Sequence, residues 1–417
     1  MRAHQFSCVV MSLGLAVPCT RGAAQVRPGI EVVVTDSAHL IRGKRIGLLS
    51  NQSGVDRHGV RDVDVLRGAG FQVTALFGPE HGFQGTADRP GLPDGVDSAT
   101  GLPIYSLYGG SEAKARAALE SVDVVLVDLQ DIGARYYTYP ASATSFIRDA
   151  AALGKPVVVL DRPDPIGGDL TQGNVRARIG DPDTDFVGFL PVPMRHGMTL
   201  GELLRLATAQ LGLQVRLTVV PAAGWRRSDA YDSTGLPWVR PSPNLPDLES
   251  AFHYPGLCLF EGTNLSVGRG TPFAFQVVGA PWIDPTVLRR ALGPAQGVAI
   301  DTARFTPAHP TDGKFDGVVL GGLRFRVTDR RTYDPTRLAV RLLVALRRLY
   351  PSRFEFRPAH FDRLAGPALR AAVERGESAA AITRHWDADL RRFRRLRAKY
   401  LLYPSIPSGP SLPSPRP

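Results

Sequence analysis

The sequence predicts an α/β protein: a doubly wound, mostly parallel sheet in the first two-thirds of the chain, followed by a smaller α+β domain. Two observations support this prediction. Short apolar runs alternate with segments of helical periodicity up to about residue 211, and strand–helix alternation favours a parallel sheet covered by helices. Beyond a proline-rich stretch the pattern changes to strands followed by helices, which favours a separate domain.

The strands of the first domain are nearly continuous in valine, leucine and isoleucine, as strands buried on both faces are. They are predicted at 45–50, 71–77, 122–129 and 156–161, with helices at 59–69, 111–120, 141–153 and 199–211. Prolines at 237, 241, 243 and 246 forbid regular structure in the linker. The second domain is predicted to contain strands at 273–279 and 317–327 and helices at 335–349 and 378–399. The expected domains are therefore 29–247 and 248–403, with a disordered Pro/Ser-rich tail at 404–417.

The N-terminus has the layout of a secretory signal. Arg2 and His4 precede an apolar stretch, 6–17, and small residues follow up to Ala24. This stretch is too short to span a bilayer, and no other segment is long and apolar enough. We therefore expect residues 1–24 to be removed and the protein to be exported, either to the periplasm or to the medium. Removal would leave Cys258 as a lone cysteine, expected to be a buried, inert thiol.

The charge of the chain is basic, with a formal net charge of +11 over 417 residues, carried mainly by arginine. A basic surface suits an anionic polymer such as nucleic acid or wall glycan, although a simple bias toward arginine explains the charge equally well. The one dense basic run, 391–400, is expected to be the solvated face of a terminal helix. Nucleic acid is therefore not an expected partner.

Polar residues follow each predicted strand of the first domain, in the segments SNQSG (50–54), GPEHG (78–82), DLQDIGARYYTY (128–139) and DRPDPIGG (161–168). Because ligands bind outside the carboxyl ends of the strands in such sheets, four loops are predicted to deliver their side chains to one edge. Within them, Glu80 and His81 stand side by side between glycines. The simpler alternative is a helix-start acid beside a loop histidine.

The loop after the third strand brings together acids, an arginine and tyrosines. Asp128 and Asp131 are candidate polar ligands, unless one of them simply caps the next helix. Arg135, Tyr137 and Tyr139 suit a carboxylate and a sugar face, through a bidentate fork and stacking. Ordinary packing at a domain interface remains the alternative.

Two later loops carry further candidates. FEGTNLSVGRGT (260–271) follows an apolar run and presents Glu261, Asn264 and Arg269, for which a structural salt bridge is the alternative. His196 precedes a helix with the capping-box residues Thr199 and Glu202, so a structural role is as consistent as ligand binding. The sequence contains no dinucleotide or phosphate-binding glycine loop, no G-x-S-x-G and no metal-ligand spacing. No metal and no organic cofactor are therefore expected.

Taken together, the loops resemble one family, the exo-β-N-acetylmuramidases, long catalogued as a domain of unknown function. The motifs occur in the same order between about residues 29 and 403: GPEHGFQG, TGLPIYSLYG, DLQDIGARYYTY, LDRPDPIGG, PVPMRHGMTLGEL, TGLPWVRPSPNLP, YPGLCLFEGTNLSVGRGT and GAPW. The resemblance implies a Rossmann-like N-terminal domain without a nucleotide, a smaller C-terminal domain and an active site between them. It also implies release of terminal N-acetylmuramic acid from the non-reducing end of peptidoglycan fragments, a reaction of cell-wall recycling.

The residues fit this chemistry, because glycoside hydrolysis needs two carboxylates beside the scissile bond, one of them protonated. Glu80 and Glu261 are the best pair, since each follows an apolar run and enters a glycine-rich loop. Apolar neighbours favour Glu80 as the general acid, and the polar surroundings of Glu261 favour its ionised form. Arg135 or Arg269 is expected to accept the lactyl carboxylate of muramic acid.

The chain departs from the family pattern at three positions: Gln84 for arginine, Asp164 for asparagine and Gln276 for glutamate. If the glutamate replaced by Gln276 is essential, the protein would be inactive or changed in specificity. Two alternatives therefore stay open at this point, another glycosidase of amino sugars and a non-catalytic peptidoglycan-binding protein.

Overall fold

A computed structural model describes residues 25–88 and 91–405 of the chain. The predicted signal segment, 1–24, and most of the predicted tail lie outside the described residues. The strands are β1 (Arg45–Ser50), β2 (Gln72–Gly78), β3 (Gly95–Val96), β4 (Pro103–Ser106), β5 (Val124–Asp128), β6 (Val157–Leu160), β7 (Gln172–Val175), β8 (Pro193–Arg195), β9 (Leu217–Val220), β10 (Val277–Ala280), β11 (Val298–Phe305) and β12 (Leu320–Val327). The helices are α1 (Gly29–Thr35), α2 (Asp62–Gly68), α3 (Glu112–Ser121), α4 (Tyr139–Ala152), α5 (Leu200–Gln210), α6 (Leu248–Leu257), α7 (Pro285–Leu292), α8 (Pro335–Leu349), α9 (Pro358–Ala365), α10 (Pro367–Glu374), α11 (Ala379–Thr383) and α12 (Trp386–Arg397).

The larger sheet has seven strands in the order β3-β4-β2-β1-β5-β6-β9. Every pair in it is parallel except β3–β4. Alternate residues of one strand face opposite layers, so Val124 and Leu126 of β5 pack with α1 and α2, whereas Val125 and Val127 pack with α4. Covering both faces with helices requires apolar side chains at every position, which explains the continuous valine and leucine runs. The predicted fold class is confirmed.

The second sheet has three antiparallel strands in the order β10-β12-β11. Helix α8 packs against α6 and α7 beside it. The apolar core is continuous between the two halves of the chain, because Tyr136 and Phe146 belong to the same cluster as Leu257 and Phe325. The two halves of the chain therefore share one packed core, and the region above it, where the loops of the two sheets meet, is called the cleft.

The C-terminal region differs from the sequence-based expectation in two respects. The helix predicted at 378–399 is broken into α11 and α12, and the break places the Trp386 ring 6.0 Å from the guanidinium of Arg337. The basic run is also not wholly solvated. Arg397 is buried and donates to the carbonyls of Gly168 at 3.0 Å and Gly197 at 2.9 Å, because α12 packs back onto the loops of the larger sheet.

Within residues 25–88 and 91–405, no helix combines the length and the apolarity needed to cross a bilayer.

Candidate active site

Glu80 lies immediately beyond β2, in a tight turn that glycine makes possible. His81 has a positive φ of 69°, a backbone conformation uncommon for residues other than glycine. Gly85 has a positive φ of 65°, which favours glycine, and a Cβ atom there would fall 1.8 Å from the flexible Gln52 side chain. The turn therefore holds Glu80 at the strand end while bringing the next loop close.

Hydroxyl groups surround the Glu80 carboxylate. The Thr138 hydroxyl, at the start of α4, donates to Glu80 Oε2. Burial raises the pKa of Tyr108, and the nearby charge of Glu80 raises that pKa further. Among the described residues no arginine or lysine forms an ion pair with Glu80. Glu80 is thus held by a neutral hydroxyl donor and not by an ion pair.

Glu261 lies on the opposite side of the cleft, in a short 3₁₀ helix, Cys258–Gly262, that continues α6. Its Oε1 accepts a hydrogen bond from Arg269 Nε at 2.6 Å, and the Cys258 thiol lies 3.4 Å from its Oε2. Burial raises the pKa of that thiol, and the neighbouring carboxylate raises it further. Cys258 is therefore a buried, protonated thiol, and Arg269 is the cationic partner of Glu261.

Asp88 connects the loop of Glu80 to the loop of Glu261. Its Oδ2 lies 3.1 Å from Arg269 Nη1 and accepts from Asn244 Nδ2 at 2.7 Å, while its Oδ1 lies 3.6 Å from His81 Nδ1. Burial alone would raise the pKa of Asp88, but the hydrogen bond from Thr311 and the charge of Arg269 outweigh burial and lower it. An ionised Asp88 thus joins the two halves of the cleft.

Tyrosine rings line the base of the cleft between the two glutamates. The Tyr137 ring lies 4.7 Å from that of Tyr139 and 6.2 Å from that of Tyr254. Burial raises the pKa of Tyr139, and the Glu80 charge adds to this rise. Burial also raises the pKa of Tyr254, where Cys258 and Glu261 add to it. Tyr139, at one end of this row, therefore lies near Glu80, and Tyr254, at the other end, lies near Glu261. The same row of rings supports both carboxylates.

A cavity of about 720 Å³ opens beside Tyr108, between α3 and α4. Neither glutamate lines this cavity, so Tyr108 is its link to Glu80. The rings of Tyr108 and Phe186 stack there with centroids 5.6 Å apart and planes at 27°. Arg363 of α9 also lines it and has no hydrogen-bond or ion-pair partner among residues 25–88 and 91–405. The cavity thus offers an aromatic platform and a free cation next to the cleft.

Three of the sequence-based candidates direct most of their polar atoms to other parts of the protein, although Arg135 Nε has no hydrogen-bond partner among the described residues. Asp128 is fully buried in an ion pair with Arg162, whose Nη2 lies 2.9 Å from Asp128 Oδ2. The two terminal nitrogens of Arg135 donate to main-chain oxygens of residues 174, 192 and 364 and to the Asn174 side chain. Asn264 bonds the backbone of residues 353 and 355. These side chains support the loops rather than face the cleft.

Asp131 and His196 form a buried pair behind the tyrosine row. His196 Nδ1 accepts from the Met198 N–H at 3.2 Å, so its proton is on Nε2, which lies 3.4 Å from Asp131 Oδ2. Asp164 is part of the same group: burial raises its pKa to about 7, His196 opposes this rise, and the charge of Asp131 adds to it. The charge of Asp131 adds to the rise that burial causes in the pKa of Tyr137, so this cluster lies beside the loop that carries Tyr137.

Gln276, one of the departures from the family pattern, hydrogen-bonds the N-cap residue of a helix. Its Nε2 lies 2.9 and 3.0 Å from the two carboxylate oxygens of Asp247, which is the N-cap of α6, and 3.1 Å from Ser250 Oγ. Gln276 has no side-chain hydrogen bond with either glutamate among the described residues.

Several residues that shape the site were not singled out from the sequence. Tyr108, Thr138, Asn244 and Tyr254 occur within the quoted motifs, so a signal for them existed. Other contributors lie outside every motif and are found only through their contacts: Asp88, Thr311, Lys314, His360 and Arg363. No group of three or more histidine, cysteine or acidic side chains in the described part of the chain is arranged to hold a metal ion.

Comparison with known proteins covers nearly the whole chain. Residues 46–249 match the family described as exo-beta-N-acetylmuramidase NamZ, N-terminal, and residues 252–403 match its C-terminal counterpart. The peptidoglycan beta-N-acetylmuramidase NamZ of Bacillus subtilis (strain 168) is 39% identical over 386 residues, which are 91% of this chain and 92% of that protein.

Two crystal structures of DUF1343 family proteins from Bacteroides fragilis NCTC 9343 share the fold. One aligns with a TM-score of 0.81 at 32% identity, over 91% of this chain and 99% of that chain. The other aligns with a TM-score of 0.71 at 31% identity, over 92% and 100%. The resemblance inferred from the ordered motifs is confirmed: the chain belongs to the exo-β-N-acetylmuramidase NamZ family.

Proposed function

We propose that this protein is an exo-acting glycoside hydrolase that releases terminal N-acetylmuramic acid from the non-reducing end of peptidoglycan fragments, with Glu80 and Glu261 as its catalytic carboxylates. The observation that carries this proposal is that the two glutamates, one from each half of the chain, share one tyrosine-lined cleft. Family membership and the muramidase activity named for the B. subtilis relative support it.

The partners of the two carboxylates support different roles. Arg269 forms an ion pair with Glu261 at 2.6 Å, and we assign to Glu261 the stabilisation of the positive charge that develops at the anomeric carbon. Glu80 has only hydroxyl partners among the described residues, so it can hold a proton without losing an ion pair. Glu80 therefore donates that proton to the departing oxygen as the sugar–oxygen bond breaks. A water molecule then forms the new bond to the anomeric carbon, and its proton returns to a carboxylate of the pair.

The lactyl carboxylate of muramic acid needs a cation, and Arg269 is the better of the two arginines considered. Its Nη2 has no partner within the described ranges, whereas both terminal nitrogens of Arg135 are held by the protein. A carboxylate that approaches Arg269 would lie beside Glu261, where the sugar must bind. We therefore assign recognition of the lactyl group to Arg269.

The cavity beside Tyr108 suits the leaving sugar. Because the general acid protonates the leaving oxygen, the departing residue must lie on the Glu80 side of the cleft. The stacked rings of Tyr108 and Phe186 offer that sugar an apolar face. Gln276 bonds a helix N-cap and not the glutamates, so its departure from the family pattern does not argue against catalysis.

The test is incubation with a muramyl–glucosamine disaccharide, followed by detection of free muramic acid, alongside muramyl and glucosaminyl chromogenic substrates. We expect free muramic acid and a preference for the muramyl substrate. Preferential cleavage of the glucosaminyl substrate would indicate another amino-sugar glycosidase. Binding of the disaccharide without release of any sugar would indicate a non-catalytic peptidoglycan-binding protein.

We further propose that the protein is exported, because residues 1–24 have a charged start, an apolar centre and a small-residue end. N-terminal sequencing of protein from fractionated cells tests this proposal. We expect a mature chain that starts near Gln25 outside the cytoplasm. Cytoplasmic protein that retains Met1 or Arg2 would contradict it.

A further inference from the structure

Lys314 is a buried lysine that belongs to no part of the proposed catalytic pair. It lies in the segment between β11 and β12, and 6% of its surface is exposed. Its Nζ lies 3.1 Å from the main-chain oxygen of Glu261, 2.9 Å from that of Thr263 and 2.9 Å from that of Leu265. An ammonium group has three hydrogens, and here each has a carbonyl acceptor.

The three carbonyl groups define the path of the chain that carries Glu261. The 3₁₀ helix ends at Gly262, where carbonyl groups lose their helical partners and need others. Thr263 then adopts an extended conformation, and the chain proceeds toward Arg269. One ammonium group thus fixes both the end of the helix and the start of the loop, and with them the direction in which the Glu261 side chain points.

Acidic and basic groups near Lys314 shift the pKa of its amine in opposite directions. Its nearest acid, Asp312, has Oδ2 at 4.0 Å, and the Glu261 carboxylate also favours the charged amine. Arg357 and Arg269 oppose it, and His360 faces the same group. Burial is the main reason why the pKa of Lys314 falls to about 8.

We propose that Lys314 is a positioning residue, whose ammonium holds the main chain of Glu261 so that the carboxylate keeps its place opposite Glu80. This inference rests on the proposed function, in which Glu261 is catalytic. A neutral amine has only two hydrogens, so its deprotonation leaves one of the three carbonyl groups without a donor. Turnover then falls at alkaline pH while the fold persists.

The matched control is Lys155, whose Nζ donates to the main-chain oxygens of Glu120 at 2.7 Å and Val122 at 2.8 Å. Lys155 holds a loop between α3 and β5 in the same manner, away from both glutamates. Comparison of Lys314→Met with Lys155→Met therefore separates positioning of Glu261 from general support of a loop.

The experiment measures kcat, KM and thermal unfolding of wild type, Lys314→Met, Lys314→Arg and Lys155→Met between pH 6 and about 9.5. We expect Lys314→Met to lose at least tenfold in kcat with KM changed less than threefold, while Lys155→Met keeps kcat within twofold. We also expect the wild-type kcat to fall as pH rises through about 8. This fall should move to higher pH in Lys314→Arg, because guanidinium stays charged.

A Lys314→Ala variant with added propylammonium provides a second measurement if arginine does not fit the space. Partial recovery of kcat supports the inference. A Lys314→Met variant with near-native kcat overturns it, even if Glu261→Gln is inactive, and the proposed function then stands alone. A Glu261→Gln variant that retains turnover overturns both.

Discussion

Arg269 Nε lies 2.6 Å from Glu261 Oε1, and the same guanidinium reaches Asp88 on the other side of the cleft. Burial opposes the charge of Arg269, but the two carboxylates outweigh burial and raise its pKa. Glu261 is therefore paired with a permanent cation, whereas Glu80 meets only hydroxyl groups among the described residues. This difference between the two glutamates determines the expected behaviour of the variants below.

Replacement of either glutamate should remove most turnover, but with different dependence on the leaving group. Glu80→Gln should lower kcat by about a hundredfold or more on the disaccharide, since general acid catalysis contributes roughly 10²–10⁴. It should lower kcat much less on substrates whose leaving group departs without a proton. Glu261→Gln should impair both kinds of substrate. Folding of each variant is checked by circular dichroism, with the exposed Glu120→Gln as control, and near-native turnover of either variant would remove that residue from the pair.

Arg269→Ala should reduce discrimination in favour of muramyl substrates. Loss of a charge-assisted hydrogen bond costs about 1.5–3 kcal/mol, so kcat/KM for a muramyl substrate should fall about tenfold to a hundredfold. The measurement is the ratio of kcat/KM for muramyl and glucosaminyl chromogenic substrates. An unchanged ratio would show that Arg269 acts only through Glu261.

Arg135→Ala should affect stability instead of specificity. Its guanidinium holds main-chain carbonyls from three segments, so the free energy of unfolding should fall by about 1.5–3 kcal/mol. The ratio of muramyl to glucosaminyl kcat/KM should stay at the wild-type value in the folded variant. Urea unfolding and the same two substrates test this prediction. A lowered ratio of muramyl to glucosaminyl kcat/KM would show that Arg135 binds the substrate.

Asp164→Asn should stabilise the protein at pH 8 more than at pH 5. Burial raises the pKa of Asp164 from the ordinary 3.8 to about 7, so the folded protein holds a proton that the unfolded chain releases. The resulting stabilisation is complete below pH 3.8 and is lost as pH rises through about 7. Since asparagine does not ionise, the gain should be larger by on the order of 2 kcal/mol at pH 8. Urea unfolding at both pH values measures it, and equal gains would show that Asp164 does not titrate in this range.

Gln276→Glu should destabilise the protein without increasing turnover. A carboxylate in place of the amide would lose the hydrogen bonds to Asp247 and place two like charges together. We expect a loss of about 1–3 kcal/mol in the free energy of unfolding at pH 7, and a smaller loss at pH 4. The exposed Gln214→Glu is the control. A several-fold increase in kcat of Gln276→Glu would instead show that a glutamate at this position contributes to catalysis.

Much of the fold was predictable because its signals are local. Each strand of the larger sheet that the sequence predicted is a run of apolar residues buried on both faces, and its pattern does not depend on its neighbours. The edge strand β3 has two residues and carries no such signal. The break between α11 and α12 was missed because burial of Trp386 under α8, a tertiary contact, decides it.

The sequence by itself determined the family, the α/β sheet and the two loops that hold Glu80 and Glu261. Each of these is predicted by short contiguous segments, either ordered motifs or apolar runs. Only the tertiary structure decided the partners of those residues. Arg135 and Arg269 look alike in sequence. In the structure, the terminal nitrogens of Arg135 donate to main-chain oxygens, whereas Arg269 donates to Glu261 and faces the cleft. Asp88 meets Asn244 from 156 residues away along the chain and Arg269 from 181 residues away, and Thr138 meets Glu80 from 58 residues away. The charge and hydrogen bonding of a side chain depend on distances of a few ångströms in space, which the chain sets only once it has folded.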